Sequence, residues 1–585
     1  MDGIDLPEFY DLRLLSQVSL SPDGERVAFL AEESDPEADE TITGLYVAPT
    51  DGSRDPHRLT RASAAQQPVW GPDEDFDRRR GRTDDGEGDE EDGEEADGES
   101  GGNGGNGGNG EDGGPKPQVW LFDLARGGDA KQVTDFDEGV SGFDIGPDGE
   151  RVVAAARDPT EEEEEYLQQR RSDDGPIEVT RLQHKRDGAG WLDDVTTYLF
   201  VTEIDGDDEP ERLDDAYGAG SAEALAGLQP AWGPTDRIAF CRCEAEWPDN
   251  SGAYDVLTID PDGSDLRRVT DGDRRFAGPT WSPSGDHLAF AGSDHENWYR
   301  PAEVYVAPDE ADADYESVSA ELDRTLARMI APEWLDEDHV VAGIADEAWT
   351  RLAVLPLDGE PRRAYDRQGR HREIEAFDLA GDTAVLGLAQ PDAPPDVYAL
   401  DTGELREGET GGPLTRVTEL NHEWASEAPL PSAEVETVED GDGEEIEAVV
   451  YYPDDYDESD DPRPTIVSIH GGPMAYDAPT FRFDIAYWTS RGYVVAKPNY
   501  RGSTSYGRDF AEQLKGSRGK LESDDVISTA ETLVEDGVAD EERLFCTGFS
   551  YGGITTAHVV TRTDIFAAAA PEHGIYDFYS NFGTD

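Results

Sequence analysis

A β-propeller of about seven blades followed by an α/β domain is the fold class that this sequence predicts. Two observations carry the prediction. Over its first two-thirds the chain repeats one strand–turn–strand pattern, and over its last third apolar strands alternate with helical segments. At 585 residues the chain is too long for one ordinary domain and long enough for several sizeable cores.

The repeat is explicit. Ser21-Pro-Asp-Gly-Glu-Arg-Val-Ala-Phe29 recurs as Gly146-Pro-Asp-Gly-Glu-Arg-Val-Val-Ala154, as Trp232-Gly-Pro-Thr-Asp-Arg-Ile-Ala-Phe240 and as Trp281-Ser-Pro-Ser-Gly-Asp-His-Leu-Ala-Phe290. Weaker copies begin at Trp70, Trp334 and Phe377. Each copy reads as a short strand, a Pro/Gly/Asp turn and a second strand. Most continue into a third strand, such as Asp255 to Ile259, and a closing stretch, such as Leu266 to Thr270. Four short strands at a period of roughly 40–50 residues make a propeller blade. About seven starts between Leu15 and Arg416 predict about seven blades over residues 1–415. A β-sandwich would not repeat the same turn chemistry at a fixed period.

Two insertions interrupt the repeat. Arg78 to Pro117 holds an acidic run and Gly101-Gly-Asn-Gly-Gly-Asn-Gly-Gly-Asn-Gly110, with almost nothing to bury, so disorder is expected there. Glu161 to Glu165 is a like-charge run within a longer insertion that ends near Asp193, and it reads as a solvated loop.

Composition excludes several function classes. Asp and Glu number 134 against 48 Lys and Arg, a formal net charge of −86. Such a surface repels nucleic acid and anionic membranes. The only lysines are Lys116, Lys131, Lys185, Lys497, Lys515 and Lys520. Acid spread over predicted strands and turns, with little lysine, reads as adaptation to a salty cytoplasm, where concentrated cations screen self-repulsion. The three cysteines, Cys241, Cys243 and Cys546, cannot form a closed disulfide framework and lack partners at metal-ligand spacing. No cofactor or metal is predicted. The N-terminus has no basic and apolar signal sequence, and no apolar run reaches membrane-spanning length. A cytoplasmic protein is expected, with self-association left open.

From residue 416 to residue 585 the pattern changes. Glu445 to Tyr452, Thr465 to Ile469, Tyr493 to Ala496, Leu544 to Cys546 and Phe566 to Ala570 read as strands. Phe481 to Ser490 and Asp524 to Glu535 read as helices. Such alternation predicts a parallel sheet covered by helices.

Gly548-Phe-Ser-Tyr-Gly552 sits between the apolar run Leu544–Cys546 and a helix-compatible segment, Ile554 to Thr563. In that context G-x-S-x-G is a nucleophile elbow, and Ser550 is the candidate nucleophile. His470-Gly-Gly-Pro473 follows an apolar strand, where an H-G-G loop supplies a backbone N–H to an oxyanion hole. Gly472 N–H and Tyr551 N–H are the candidate donors, fixed before charge develops on the reacting carbonyl. His470 belongs to that loop and is not read as the base. The two parts together predict a β-propeller of about seven blades plus an α/β-hydrolase domain.

Asn499-Tyr-Arg-Gly-Ser-Thr-Ser-Tyr-Gly507, between His470-Gly-Gly-Pro473 and Gly548-Phe-Ser-Tyr-Gly-Gly553, resembles the prolyl oligopeptidase family of serine peptidases. Arg186-Asp-Gly-Ala-Gly-Trp191 with Tyr198-Leu-Phe-Val201 is similar to its acylaminoacyl-peptidase / dipeptidyl-aminopeptidase branch. The resemblance implies a propeller capping the hydrolase domain, with short peptides as substrates in the cavity between them. It also implies a triad acid and base in later loops, about 80 and about 110 residues beyond the serine. His558 lies roughly 12 Å along the elbow helix from Ser550. His573, Asp564, Asp577 and Asp585 precede the expected positions. The expectation is therefore a C-terminally incomplete hydrolase domain, with triad Asp and His not in this chain and little activity of its own. An esterase on the same fold and a non-catalytic propeller scaffold are the alternatives.

Overall fold

The computed structural model describes residues 3–581 except 39, 61–63, 73–115, 125–128, 172–176, 178, 180–183, 187–189, 207, 219–226, 247, 249, 250, 328, 329, 366–371, 408–411, 440, 441 and 460. Most of the first insertion, including Gly101–Gly110, lies outside the described residues, as do Asp187 to Ala189 and Asp585.

Among the described residues the first two-thirds forms six four-stranded antiparallel sheets, spanning 13–58, 140–218, 231–268, 275–317, 333–365 and 373–416. A two-stranded hairpin, Trp120–Asp123 with Asp129–Gln132, lies between the first and second of them. The repeated turn is the same in each strong copy. Ser21 N–H donates to Arg26 O, Gly146 N–H to Arg151 O, Gly233 N–H to Arg237 O and Ser282 N–H to His287 O, all at 2.7–2.9 Å. The sequence motif thus sets the hairpin that joins the first two strands of each sheet.

Three of the motif tryptophans latch onto the sheet before them, whereas the indole of Trp232 bonds to Asp236 of its own turn. The indole N–H of Trp70 donates to Ser19 O at 2.8 Å, that of Trp281 to Ala231 O at 3.0 Å and that of Trp334 to Thr280 O at 3.2 Å. Two half-buried aspartates, each on the first strand of its sheet, do the same work. Asp144 accepts Trp232 N–H, and Asp378 accepts Leu20 N–H, each at 2.6 Å. The second contact joins the last sheet to the first, and Leu15, Leu20 and Phe29 share one core cluster with Val385 and Val397. The sheets therefore close into a ring, the architecture of a propeller.

Burial pushes the carboxyls of Asp144 and Asp378 up to about 6. Glu333, on the neighbouring sheet, is raised by burial and by Asp378. Between pH 4 and 6 the folded ring holds protons that the unfolded chain has already released, so this contribution falls as pH rises through that window and levels off above it. A shift of about two units is on the order of 2–3 kcal/mol per carboxyl. Asp144→Asn combined with Asp378→Asn keeps an acceptor oxygen and removes the titration. Its melting temperature should change less between pH 4 and 7 than that of the parent; parallel curves would contradict the assignment.

One expected loop is a helix. Glu161–Arg171 is α-helical, with Leu167 buried. Charge density alone misleads there. Thr160 and Glu163 form a reciprocal cap, in which Glu163 Oε2 accepts Thr160 N–H and Oγ–H at 2.8 Å. The glutamates also occupy the first turn, where the helix dipole favours them.

The last third forms one six-stranded sheet. Its order is Ser432–Glu439, Glu445–Tyr452, Val494–Asn499, Arg463–Ile469, Ala539–Phe549, Ala568–Glu572, parallel from the third strand onward. Helices Phe483–Thr489, Leu521–Glu535 and Tyr551–Val559 accompany it. The edge strand is Ala568–Glu572 rather than Phe566 to Ala570. Phe566 instead packs, partly buried, against the core, and the strand itself is exposed and alanine-rich.

The amino-terminal residues dock on this sheet domain: Ile4 N–H donates to Ser490 Oγ at 3.0 Å, and Phe9 packs edge-on against Phe483. No helix among the described residues is long and apolar enough to cross a membrane.

Candidate active site

Ser550 stands between strand Ala539–Phe549 and helix Tyr551–Val559, with φ 55° and ψ −118°. A positive φ at a serine is a strained state worth about 1–3 kcal/mol, held here by the surrounding backbone. Its N–H donates to Glu572 O at 3.0 Å, and its carbonyl accepts Ile554 N–H at 3.1 Å. The flanking glycines make the turn sterically feasible. A Cβ on Gly552 would lie 2.1 Å from Ile469 O, and one on Gly553 would lie 2.3 Å from Glu572 O. Bare backbone thus lets the elbow helix sit directly on the strands beside it.

The H-G-G-P loop lies alongside. A Cβ placed on Gly471 would be 3.3 Å from Ser550 Cβ and 3.9 Å from its Oγ. Gly472 has φ 117°, which an L side chain rarely adopts. Gly471 thus lies beside the serine, and Tyr551 follows it as the first residue of the elbow helix.

His470 is occupied elsewhere. Its Nδ1 meets Gly471 O at 2.8 Å, its Nε2 meets Ser503 Oγ at 3.0 Å, and its ring stacks on Tyr500 at 4.3 Å. Tyr500 O–H donates to His470 O at 2.9 Å, so the histidine braces the loop. The His558 ring abuts Gly519. His573 follows Glu572 and packs on Phe549 at 4.8 Å between ring centres. Among the described residues no hydrogen bond joins Ser550 Oγ to a histidine.

Several supporting residues were not legible in the sequence. Tyr551 O–H donates to Glu522 Oε1 at 2.6 Å, and burial, then this carboxylate, raises the phenol above its ordinary value. The phenol therefore stays protonated and anchors the residue next to Ser550. Arg501, in the Asn499–Gly507 motif, forms a buried ion pair with Asp525, which also accepts Arg501 N–H at 2.7 Å. Long-range pairs of this kind leave no periodic trace.

A cavity of about 430 Å³ opens between ring and sheet domain. Gly472, Met474 and Tyr476 line it from one side, and Asp294, Trp298 and Leu326 from the other. Direct bonds hold the two parts together around it: Glu347 N–H to Ser505 O at 2.8 Å, Arg508 N–H to Asp323 Oδ1 at 3.0 Å, and Thr350 Oγ1 to Tyr476 Oη at 2.5 Å.

Comparison with known proteins converges on one group. Residues 479–585 match the sequence profile of the prolyl oligopeptidase family. The chain is 24% identical, over 96% of its length and 81% of the other's, to the uncharacterized peptidase YuxL of Bacillus subtilis. It is 32% identical, over 44% of its length and 35% of the other's, to an acylamino-acid-releasing enzyme of Arabidopsis thaliana. Among solved structures it resembles an acylaminoacyl peptidase in complex with Z-Gly-Gly-Phe-chloromethyl ketone, with a TM-score of 0.72 at 19% identity, over 98% of this chain and 79% of that one. An acylaminoacyl peptidase of Pyrococcus horikoshii gives a TM-score of 0.71 at 18% identity, over 97% and 78%. At such identities the structural likeness speaks to the fold.

Proposed function

The chain belongs to the prolyl oligopeptidase family, and from that premise we propose that it is a serine peptidase that cleaves short peptides by acyl transfer at Ser550. The observation that carries this reading is the strained φ of Ser550 at a strand–helix elbow beside Gly471 and Gly472. Ser550 Oγ attacks the scissile carbonyl. The N–H groups of Gly472 and Tyr551 donate to the oxyanion as it forms, which stabilises the transition state more than the substrate. The domains are residues 1–415, a seven-bladed propeller, and residues 416–585, the hydrolase domain. Trp70 supports the seventh blade: it latches to the first sheet as Trp281 latches to the sheet before it. Peptides short enough to enter reach the cavity between the domains, and the acylaminoacyl-peptidase type of specificity is the one favoured.

Peptide turnover needs a base for Ser550 Oγ–H, and His470, His558 and His573 are placed on other contacts. Without a base the hydroxyl keeps its proton, and oxyanion stabilisation alone leaves roughly 10³–10⁴ over water. Peptidyl anilides and p-nitrophenyl esters, offered to the protein isolated from its native source, separate peptidase from esterase action. Faster anilide turnover, normalised to the uncatalysed rates, supports the reading; ester hydrolysis alone would replace it with the esterase alternative.

A salt-adapted cytoplasmic protein is also proposed, from the charge of −86 and six lysines. Folding is expected to need molar salt, since screening shortens the reach of carboxylate repulsion to about 3 Å at 1 M. Circular dichroism along a KCl titration checks this; a full near-UV signal in dilute buffer, unchanged by salt, would contradict it.

A further inference from the structure

One loop of the ring reaches into the sheet domain on both sides of a single exposed tryptophan. Asn297 is 9% exposed, and its Nδ2 donates to Glu512 Oε1 of the hydrolase domain at 2.7 Å. Tyr299 is 7% exposed. Its ring packs in the hydrolase core with Tyr500 and Tyr551, and its Oη accepts Arg518 Nε–H at 3.0 Å. Trp298, between these two anchors, is 69% exposed and lines the cavity shared with Gly472. The loop is rigid on its own account as well. Asp294 Oδ1 accepts Glu296 and Asn297 N–H, each at 3.0 Å, Arg300 Nη1 donates to Asp294 Oδ2 at 2.9 Å, and Trp298 Nε1 donates to His295 O at 3.1 Å.

A large indole held still, with its neighbours buried and its own face open, has the character of a binding anchor rather than of core. The lining around it includes Leu326 and Met474, an apolar patch with a polarizable thioether suited to a flat ring. The charged groups on the same wall, Asp294 and Arg300, are paired with each other, so they offer little to an acidic side chain. The field of a chain with net charge −86 opposes one further.

We infer that Trp298 is a specificity-determining residue, which reads an aromatic or bulky apolar side chain of the peptide through the cavity it shares with the oxyanion loop. The inference rests on the peptidase reading for its substrate class, and it adds that the ring domain selects as well as covers. Burying a phenyl group against this wall should be worth at least tenfold in affinity over a methyl group.

The test uses the protein from its native source, in molar KCl, with N-acetyl-Ala-Phe-amide, N-acetyl-Ala-Ala-amide and N-acetyl-Ala-Glu-amide as calorimetric probes. The parent should bind the Phe probe about tenfold or more tighter than the Ala probe, and the Glu probe most weakly. Trp298→Ala should reduce the Phe-to-Ala ratio to near one, and Trp298→Phe should restore most of it. A ratio unchanged in Trp298→Ala would overturn the inference, and so would a parent without preference. Fluorophosphonate labelling of Ser550 in the parent reports the peptidase reading separately. Absent labelling with a Trp298-dependent ratio would overturn that reading and leave a peptide-binding site.

Discussion

Gly552→Ala is expected to damage this protein more than any other addition of a single methyl group at a described glycine. The new Cβ would lie 2.1 Å from Ile469 O and 2.9 Å from its carbonyl carbon, with His470 O at 3.0 Å. All three neighbours are backbone, so no side chain can rotate away. Either the elbow helix lifts off the sheet or the strand that carries the H-G-G-P loop bends. Overpacking of a tight core costs about 1–3 kcal/mol, and here the upper end is expected because the contact is backbone on backbone. The effect on chemistry should be larger than the effect on stability. A displacement of about 1 Å between nucleophile and oxyanion donors costs on the order of 100-fold in rate. Thermal melting and the rate of fluorophosphonate labelling of the Ala variant measure the two effects. A variant that melts and labels like the parent would show that the elbow is looser than described.

Asp525→Ala is expected to cost about 3–5 kcal/mol, because it leaves a buried guanidinium without its partner. Arg501 is 3% exposed and Asp525 fully buried, and the carboxylate accepts from both the guanidinium and the Arg501 N–H. The loop they fix carries Tyr500 and Ser503, which brace His470. The loss should therefore reach the candidate oxyanion donors as well as the core. Arg543→Ala, which breaks the exposed pair with Asp540, is the contrast. Its denaturation midpoint should stay where it is, since solvent and salt already screen that pair. Equal shifts in the two variants would contradict the distinction.

The features legible in the sequence are those that local chemistry specifies. The Pro/Gly/Asp turn dictates its own hydrogen bonds, so the hairpins of the ring could be read copy by copy. The glycines around Ser550 announce close backbone approach, so the elbow and the H-G-G-P loop could be read together. Strand limits were less legible. Ala539–Phe549 runs well beyond Leu544 to Cys546, because register with Arg463–Ile469 extends it, and register is a property of the pair. The helix Glu161–Arg171 was hidden by its charge, since its single buried Leu167 gives no periodic stripe. In the sequence Trp298 and Tyr299 are adjacent aromatics in a polar stretch, with nothing local to tell them apart. Their opposite fates, one exposed and one in the neighbouring domain's core, depend on how two distant parts of the chain dock.

The central claim is that Ser550 is the nucleophile of a peptidase. Fluorophosphonate treatment of the protein isolated from its native source, followed by peptide mapping, tests it most directly. The account predicts a phosphonyl adduct on Ser550 and no adduct in Ser550→Ala at unchanged circular dichroism. An adduct on another residue, or labelling that persists in Ser550→Ala, would contradict it.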